Sequence, residues 1–312
     1  MKIIRYAVTF SFLLVSYNNI FSQNTFEFLR MDMSPRAAAL AGSFVSNADD
    51  PNVIFYNPAG LYSLEGLPVS FSYVNHLLDI NLASLAVSKN FESIGKFGAA
   101  IQYINYGTFQ GRDEFARETG SFGAGEVCFI LGYSNDLDEN FNYGVNAKFI
   151  YSGIESYYST ALAADVGLQY LIPDQLIVIG FSALNVGSQL QSYINTKENL
   201  PLDVRIGISK TLEHLPLRVY LSFNRLNDNQ DNFMDRFRTF SFGTEFNLSK
   251  ALRLRLGYDN SKRKDLKIGT TAGLAGFNIG LGALISGYNF DYAYSSLGPV
   301  GSLNRIGITT TF

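Results

Sequence analysis

Five residues in the second half of the chain carry the most obvious chemistry: Arg205, Arg218, Glu245, Arg253 and Arg255. Three of the stretches that hold them alternate strictly. Leu202, Val204, Ile206 and Ile208 interleave with Asp203, Arg205, Gly207 and Ser209, and Leu217, Val219, Leu221 and Phe223 with Arg218, Tyr220, Ser222 and Asn224. Leu252, Leu254, Leu256 and Tyr258 do the same with Ala251, Arg253, Arg255 and Gly257. A period of two places each set on its own face of a strand, so the charges share one polar face. Guanidinium forks match carboxylates, so this face could hold a carboxylate headgroup or an acidic peptide. The plainer account is that ion pairs or solvent keep these residues on a polar interior.

Other reactive residues are sparse. His76 and His214 could each act as a general base, but no Gly-x-Ser-x-Gly element is present and neither has a suggested serine or carboxylate partner. No enzyme is expected, and no catalytic, cofactor or metal site. Asp49 and Asp50 do not have the spacing of a calcium loop and suit turn formation instead. Cys128 has no second cysteine to pair with and alternates with Val127 and Phe129, as a buried thiol would. The net charge of −3 comes without a basic stripe, which argues against nucleic acid as a partner.

These residues must be positioned by strands. Charged residues make up 16% of the 312, against roughly a quarter in ordinary soluble domains, while aromatics reach 14%. The chain divides into fourteen candidate strands, at 67–74, 81–89, 95–105, 122–133, 141–151, 160–171, 176–186, 202–211, 216–226, 237–247, 250–258, 268–285, 288–295 and 304–312. Many reach the roughly 9 to 11 residues needed to cross a bilayer at a tilt. Connections alternate between short and long, as in outer-membrane barrels, whose short turns are periplasmic. The longest outer loops fall at Tyr106–Ser121 and Gly187–Pro201. A soluble sandwich also alternates, but not with this parity and strand length. The expectation is an all-β, 14-stranded antiparallel transmembrane barrel over residues 67–312, facing outer-membrane lipid.

At the amino terminus Lys2 and Arg5 precede an apolar run and a small residue, Ser22, the pattern of a secretory signal over 1–22. Export to the outer membrane of a Gram-negative bacterium follows. Residues 23–66 lack strand character. Ser34 as an N-cap, Pro35 and Arg36 in the first turn and Gly42 as terminator mark a short helix. Asp49, Asp50, Asn57, Pro58 and Gly60 supply turns. Such a segment cannot form barrel wall, so it is expected as a hatch folded into the lumen. Asn57, Pro58 and Gly60 either fix its turns or form a movable constriction.

The chain closes on Arg305-Ile306-Gly307-Ile308-Thr309-Thr310-Thr311-Phe312. Arg305, Gly307 and the terminal Phe312 resemble the signal read by the barrel-assembly machinery, with Thr310 departing from its hydrophobic position. The run Phe28-Leu29-Arg30-Met31, Ser34-Pro35-Arg36-Ala37-Ala38-Ala39-Leu40-Ala41-Gly42, Ala48-Asp49-Asp50-Pro51 and Phe55-Tyr56-Asn57-Pro58-Ala59-Gly60-Leu61 resembles the amino-terminal signature of the PorV/PorQ family, within the wider FadL-like superfamily. Phe290-Asp291-Tyr292-Ala293-Tyr294, Gly298, Gly301 and Arg305–Gly307 resemble that family's last hairpin.

The resemblance implies a fourteen-stranded outer-membrane barrel with a hatch. Its named relatives serve type IX secretion in Bacteroidota-like bacteria. The leading expectation is therefore a non-enzymatic component of secretion or surface attachment, in contact with a translocon, cargo or attachment proteins. The alternative is a FadL-like passive transporter of long-chain fatty acids or other hydrophobic ligands, whose route Phe26, Phe28, Phe44, Phe55 and Tyr56 would line unless they merely pack the hatch.

Overall fold

In a computed structural model, strict alternation closes the chain on itself. The structure describes residues 24–228, 233–267 and 271–312, so the expected signal at 1–22 lies outside the described residues. The strands are β1 (Pro68–Asn75), β2 (Asn81–Phe91), β3 (Gly95–Arg112), β4 (Glu118–Asp138), β5 (Phe141–Ile154), β6 (Tyr157–Ile172) and β7 (Ile177–Gln191). They continue as β8 (Asp203–Thr211), β9 (Leu217–Phe223), β10 (Phe240–Asn247), β11 (Leu252–Asp259), β12 (Phe277–Ile285), β13 (Tyr288–Ser296) and β14 (Ser302–Thr311). Each pairs antiparallel with its sequence neighbour, and β1 closes the cylinder on β14 with Phe71 opposite Ile308. Closure leaves no unpaired edge around the ring, the condition for a sheet to cross lipid.

Outward positions carry Phe71, Leu85, Ile101, Phe129, Leu162, Phe181, Phe242 and Leu281, all exposed. The residues between them turn inward and are buried: Ser70, Ser84, Gln102, Asn146, Ser182 and Glu245 among them. An apolar exterior over a polar interior is the reverse of a soluble fold and fits a lipid surround.

Three of the expected boundaries are corrected. The loop at Tyr106–Ser121 is mostly strand: β3 runs to Arg112 and β4 starts at Glu118, so only 113–117 turns. Beyond Asn105, where its pairing with β2 ends, β3 stays with β4 alone as a ribbon stiffened by stacked Phe109 and Phe122. The glycines and charges of this stretch, Gly107, Gly111, Arg112 and Glu118 among them, are compatible with a solvent-exposed ribbon. Similarly, β7 extends to Gln191, which shortens the Gly187–Pro201 loop. Of the single strand expected over 268–285, residues 268–270 lie outside the described residues, and among the rest the strand starts at Phe277; Gly273 and Gly276, both at positive φ, belong to the connection before it.

Residues Thr25–Leu64 run inside the cylinder. From Asp32 to Leu61 every residue but Ala48 and Asp49 is buried. Helix α1 (Pro35–Ala39) starts at Ser34, whose Oγ accepts from Ala37 N, and ends through Ala41 and Gly42, both in the left-handed region. Two 3-10 turns follow, Pro51–Phe55 capped by Asp50 and Pro58–Leu61 capped by Asn57. The wall is shaped to admit these turns. A Cβ on Gly167 would overlap Asn57 Oδ1, and one on Gly257 would strike the backbone of Ala39 and Ala41.

Candidate functional site

The inner segment and the charged strand faces meet in one layer. Arg36, from α1, is buried and donates through Nε and Nη2 to both oxygens of Glu245 on β10, at 3.0 and 2.9 Å. Its Nη1 stands 2.9 Å from Asp49. Glu245 also accepts from Arg255 Nε at 2.6 Å, and Arg255 Nη1 donates to Asp291 on β13. At the other end Arg218 Nη1 donates to Asp49 at 2.7 Å. The result is a relay of alternating sign, Arg218–Asp49–Arg36–Glu245–Arg255–Asp291, running from the wall through the inner segment and back to the wall. A buried charge is costly unless paired and hydrogen-bonded, and here each neighbour supplies both.

Asp50 also faces Arg36, at 3.5 Å, and accepts from the backbone and side-chain nitrogens of Asn52. Burial nonetheless pushes its carboxyl above the ordinary range. A second cluster lies nearer the long loops. Asp32 accepts from Lys262 Nζ at 3.0 Å and Tyr56 Oη at 3.1 Å, while its backbone carbonyl accepts from Arg305 Nε at 2.8 Å. Burial works against the Asp32 charge, but Lys262 and Arg305 outweigh it and hold its pKa down. Lys262 comes from helix α2 (Asn260–Asp265), in the connection between β11 and β12.

The expected interior residues therefore separate. Arg218, Glu245 and Arg255 join the relay through Arg36 and Asp49. Arg205 instead turns back onto Asp203 of its own strand, with its guanidinium 5.5 Å over the Tyr56 ring. Among the described residues Arg253 reaches only Asn289, at 3.1 Å. Gly42 adjoins Asp32, and Gly60 adjoins Asn47 and Val53. Asn57 is fully buried, with Nδ2 donating to the carbonyls of Val45 and Leu168. Pro58 opens the second 3-10 turn. At the carboxy terminus Arg305 and Gly307 face the inner segment, Gly307 lying against Pro35, while Phe312 is exposed and pairs by its backbone with Leu67.

Phe26, Phe28, Phe44, Phe55 and Tyr56 are all buried in one apolar cluster that includes Val74, Leu82, Ile104, Cys128, Ile130 and Ile150 of β1–β5. His76 lies half-buried after β1, and His214 in the short turn 212–216.

Sequence reasoning missed Asp32, Asp291 and Lys262. Asp291 had a signal: it sits between Phe290 and Tyr292, both outward, so alternation turns it inward. Asp32 and Lys262 lie in irregular segments where no periodicity assigns a direction. Also missed was the buried Lys148–Asp165 pair, 2.9 Å apart, which is joined by Asn146 and Asn185.

The packed segment leaves a polar recess at each end of the lumen. One of about 200 Å3 opens toward the long loops, beside Asp32, Arg205 and Lys262. The other, about 360 Å3, opens toward the short turns, beside Arg36, Arg253 and Arg255.

This architecture is similar to that of known outer-membrane barrels. The toluene transporter TbuX of Ralstonia pickettii superimposes over 89% of this chain and 98% of its own, with a TM-score of 0.59 and 14% identity. The Pseudomonas putida toluene transporter TodX covers 88% and 95%, with a TM-score of 0.55 and 13% identity. A Pseudomonas aeruginosa FadL homologue covers 88% and 96%, with a TM-score of 0.55 and 10% identity. No family's sequence profile and no curated protein sequence matches the chain. At these identities the likeness is one of fold: a closed fourteen-stranded barrel of the FadL type.

Proposed function

We propose that the chain is an outer-membrane barrel of a Gram-negative bacterium, exported by the signal at 1–22, in which residues 23–66 form a hatch across the 67–312 wall. Its role in this reading is passive, non-catalytic passage of hydrophobic small molecules. The observation that carries it is the match in fold, over 89% and 88% of this chain, to barrels that are themselves toluene transporters. The interior agrees in kind, since the hatch meets β1–β5 across an apolar seam that an apolar solute could enter if the hatch yields. The seam is packed, so passage requires displacement of Phe28, Phe44 or Phe55 rather than flow through a standing channel.

A second reading keeps the secretion or surface-attachment role within the PorV/PorQ family. It is favoured by the β3–β4 ribbon, which projects Phe115 into solvent and suits protein contact. One experiment separates the two. The gene is expressed in a Gram-negative host lacking its own uptake barrels, and uptake of a long-chain alcohol and a long-chain alkanoate is timed. Restored uptake supports passage. No uptake, with a translocon or attachment complex co-purifying from the native outer membrane, supports the secretion role. In either reading Phe312 and the last strand serve assembly into the membrane.

A further inference from the structure

The recess at the short-turn end contains more donors than its own carboxylates use. Glu245 is engaged through both oxygens, by Arg36 and Arg255. Asp49 is likewise shared between Arg36 and Arg218, and Asp291 accepts from Arg255 Nη1. Two cationic donors are left over. Arg255 is 1% exposed, yet its Nη2 is buried with no hydrogen-bond partner. Arg253, two residues along the same inward face, has no carboxylate partner among the described residues and donates only to Asn289.

Both guanidiniums line the recess, with Asn247 and Thr309 beside them. Gly282, opposite, is what leaves room for the Arg255 fork, because a Cβ there would stand 2.9 Å from both terminal nitrogens. An unpartnered buried guanidinium nitrogen is a costly feature that an oxyanion would relieve. The acidic groups facing the recess are already neutralised by arginines, and burial of Asp50 disfavours its charge, so little negative potential opposes such a ligand.

We infer that Arg253 and Arg255 form a binding site for a compact oxyanion, a carboxylate or a phosphate, at the short-turn mouth of the lumen. Two sources offer that chemistry: the headgroup of an amphiphile leaving the lumen, and free phosphate from the adjoining compartment. Only the first source rests on the proposed passage function.

The test is calorimetric titration of the full-length barrel in a nonionic maltoside with decanoate, decanol and inorganic phosphate, repeated for Arg253→Gln and Arg253→Lys. Loss of a charge-assisted contact should weaken decanoate by about tenfold in Arg253→Gln, with Arg253→Lys intermediate and decanol unaffected. Because Arg253 is only half-buried and outside the relay, the variant is expected to keep the wild-type heat-modifiable mobility shift of a folded barrel.

Decanoate and phosphate binding that both depend on Arg253 assign the site to free oxyanions; dependence for decanoate alone assigns it to an amphiphile headgroup. Binding of neither anion, or binding indifferent to Arg253, overturns the site. Decanol uptake in cells is scored separately. Its absence with anion binding intact removes the passage function and not the site, and its presence without anion binding does the reverse.

Discussion

The two halves of the lumen hold the same segment by different chemistry. On the β1–β7 side, neutral side chains of the wall donate to backbone carbonyls of the inner segment: Ser134 to Ala59, Asn146 to Ile54, Gln169 to Asn47 and Ser182 to Tyr56. The buried Lys148–Asp165 pair on that side is internal to the wall. On the β8–β14 side, charged wall residues meet charged side chains of the segment, Glu245 with Arg36 and Arg218 with Asp49. Backbone carbonyls accept a neutral donor wherever they happen to point, and they cost little to expose to water. Ion pairs are directional, and breaking one buried member strands the other. Counting polar contacts alone, the neutral half is therefore the side that gives up less when the segment parts from the wall, although the apolar seam with β1–β5 lies on that side too, and the charged half is the side that gives up more.

The sharpest way to break this comparison is at its most charged point. Arg36→Leu leaves Glu245 and Asp49 without their central partner, and removal of one member of a buried pair costs roughly 3 to 5 kcal/mol. The expected outcome is a hatch released to protease in an otherwise closed barrel, read by limited proteolysis and the unfolding midpoint in detergent. Arg36→Leu combined with Glu245→Leu should recover part of that loss. If the double variant is no better than Arg36→Leu alone, the relay is not what fixes the segment.

Next in size is the facing of the wall. Leu221 pairs with Phe242 and Ile208 on the outer face, and Ser222 is buried inside. Arginine on the lipid face near mid-membrane costs about 2 to 4 kcal/mol, so Leu221→Arg should lower folding yield into bilayers while Ser222→Ala folds as wild type. Equal yields would refute the assignment of inside and outside. On the neutral half, Gln169→Ala removes donors to the carbonyls of Val45 and Asn47. A net loss of about 1 kcal/mol is expected, visible as a small drop in unfolding midpoint without release of the hatch. A loss as large as that of Arg36→Leu would erase the distinction between the halves.

The same division decides what could be read from sequence. The fourteen strands were legible because lipid outside and polar atoms inside force a period of two, and strand ends were misplaced where that pressure is absent, in the β3–β4 ribbon beyond the neighbouring strands, at the end of β7 and in the glycine-bearing connection before β12. Arg218, Glu245 and Arg255 were legible because a charge inside an alternating run has one place to go. Ser134, Gln169 and Ser182 were not. A serine or glutamine facing a lumen looks like any other, and what it does depends on which carbonyl the segment brings past it. Arg36 was marked by its place in a motif, yet its bidentate partner Glu245 lies 209 residues away, and Arg305, read as an assembly signal, also holds Asp32.

Asp32 and Asp50 give the finest test, because both lie on the segment and both would be removed as charges by asparagine. Asp32 has its folded pKa depressed, so its contribution is present above the unfolded value near 3.8 and is lost as pH falls through the lower, folded value. Asp32→Asn should therefore unfold more readily than wild type at neutral pH, with the gap closing below about pH 4. Asp50 has its folded pKa raised by burial, so its ionisation opposes the fold above that pKa. Asp50→Asn keeps an Oδ1 to accept from Asn52 and removes that opposition, so it should match or slightly exceed wild type at pH 7 and fall level with it in acid. Unfolding midpoints in detergent between pH 3 and 8 would show Asp32→Asn below wild type at neutral pH and Asp50→Asn level with it or above it. If both variants shift the same way, position on the segment matters more than the charge that each carboxylate meets, and Lys262 with Arg305 would have to be regarded as spectators of Asp32 rather than its counter-charges.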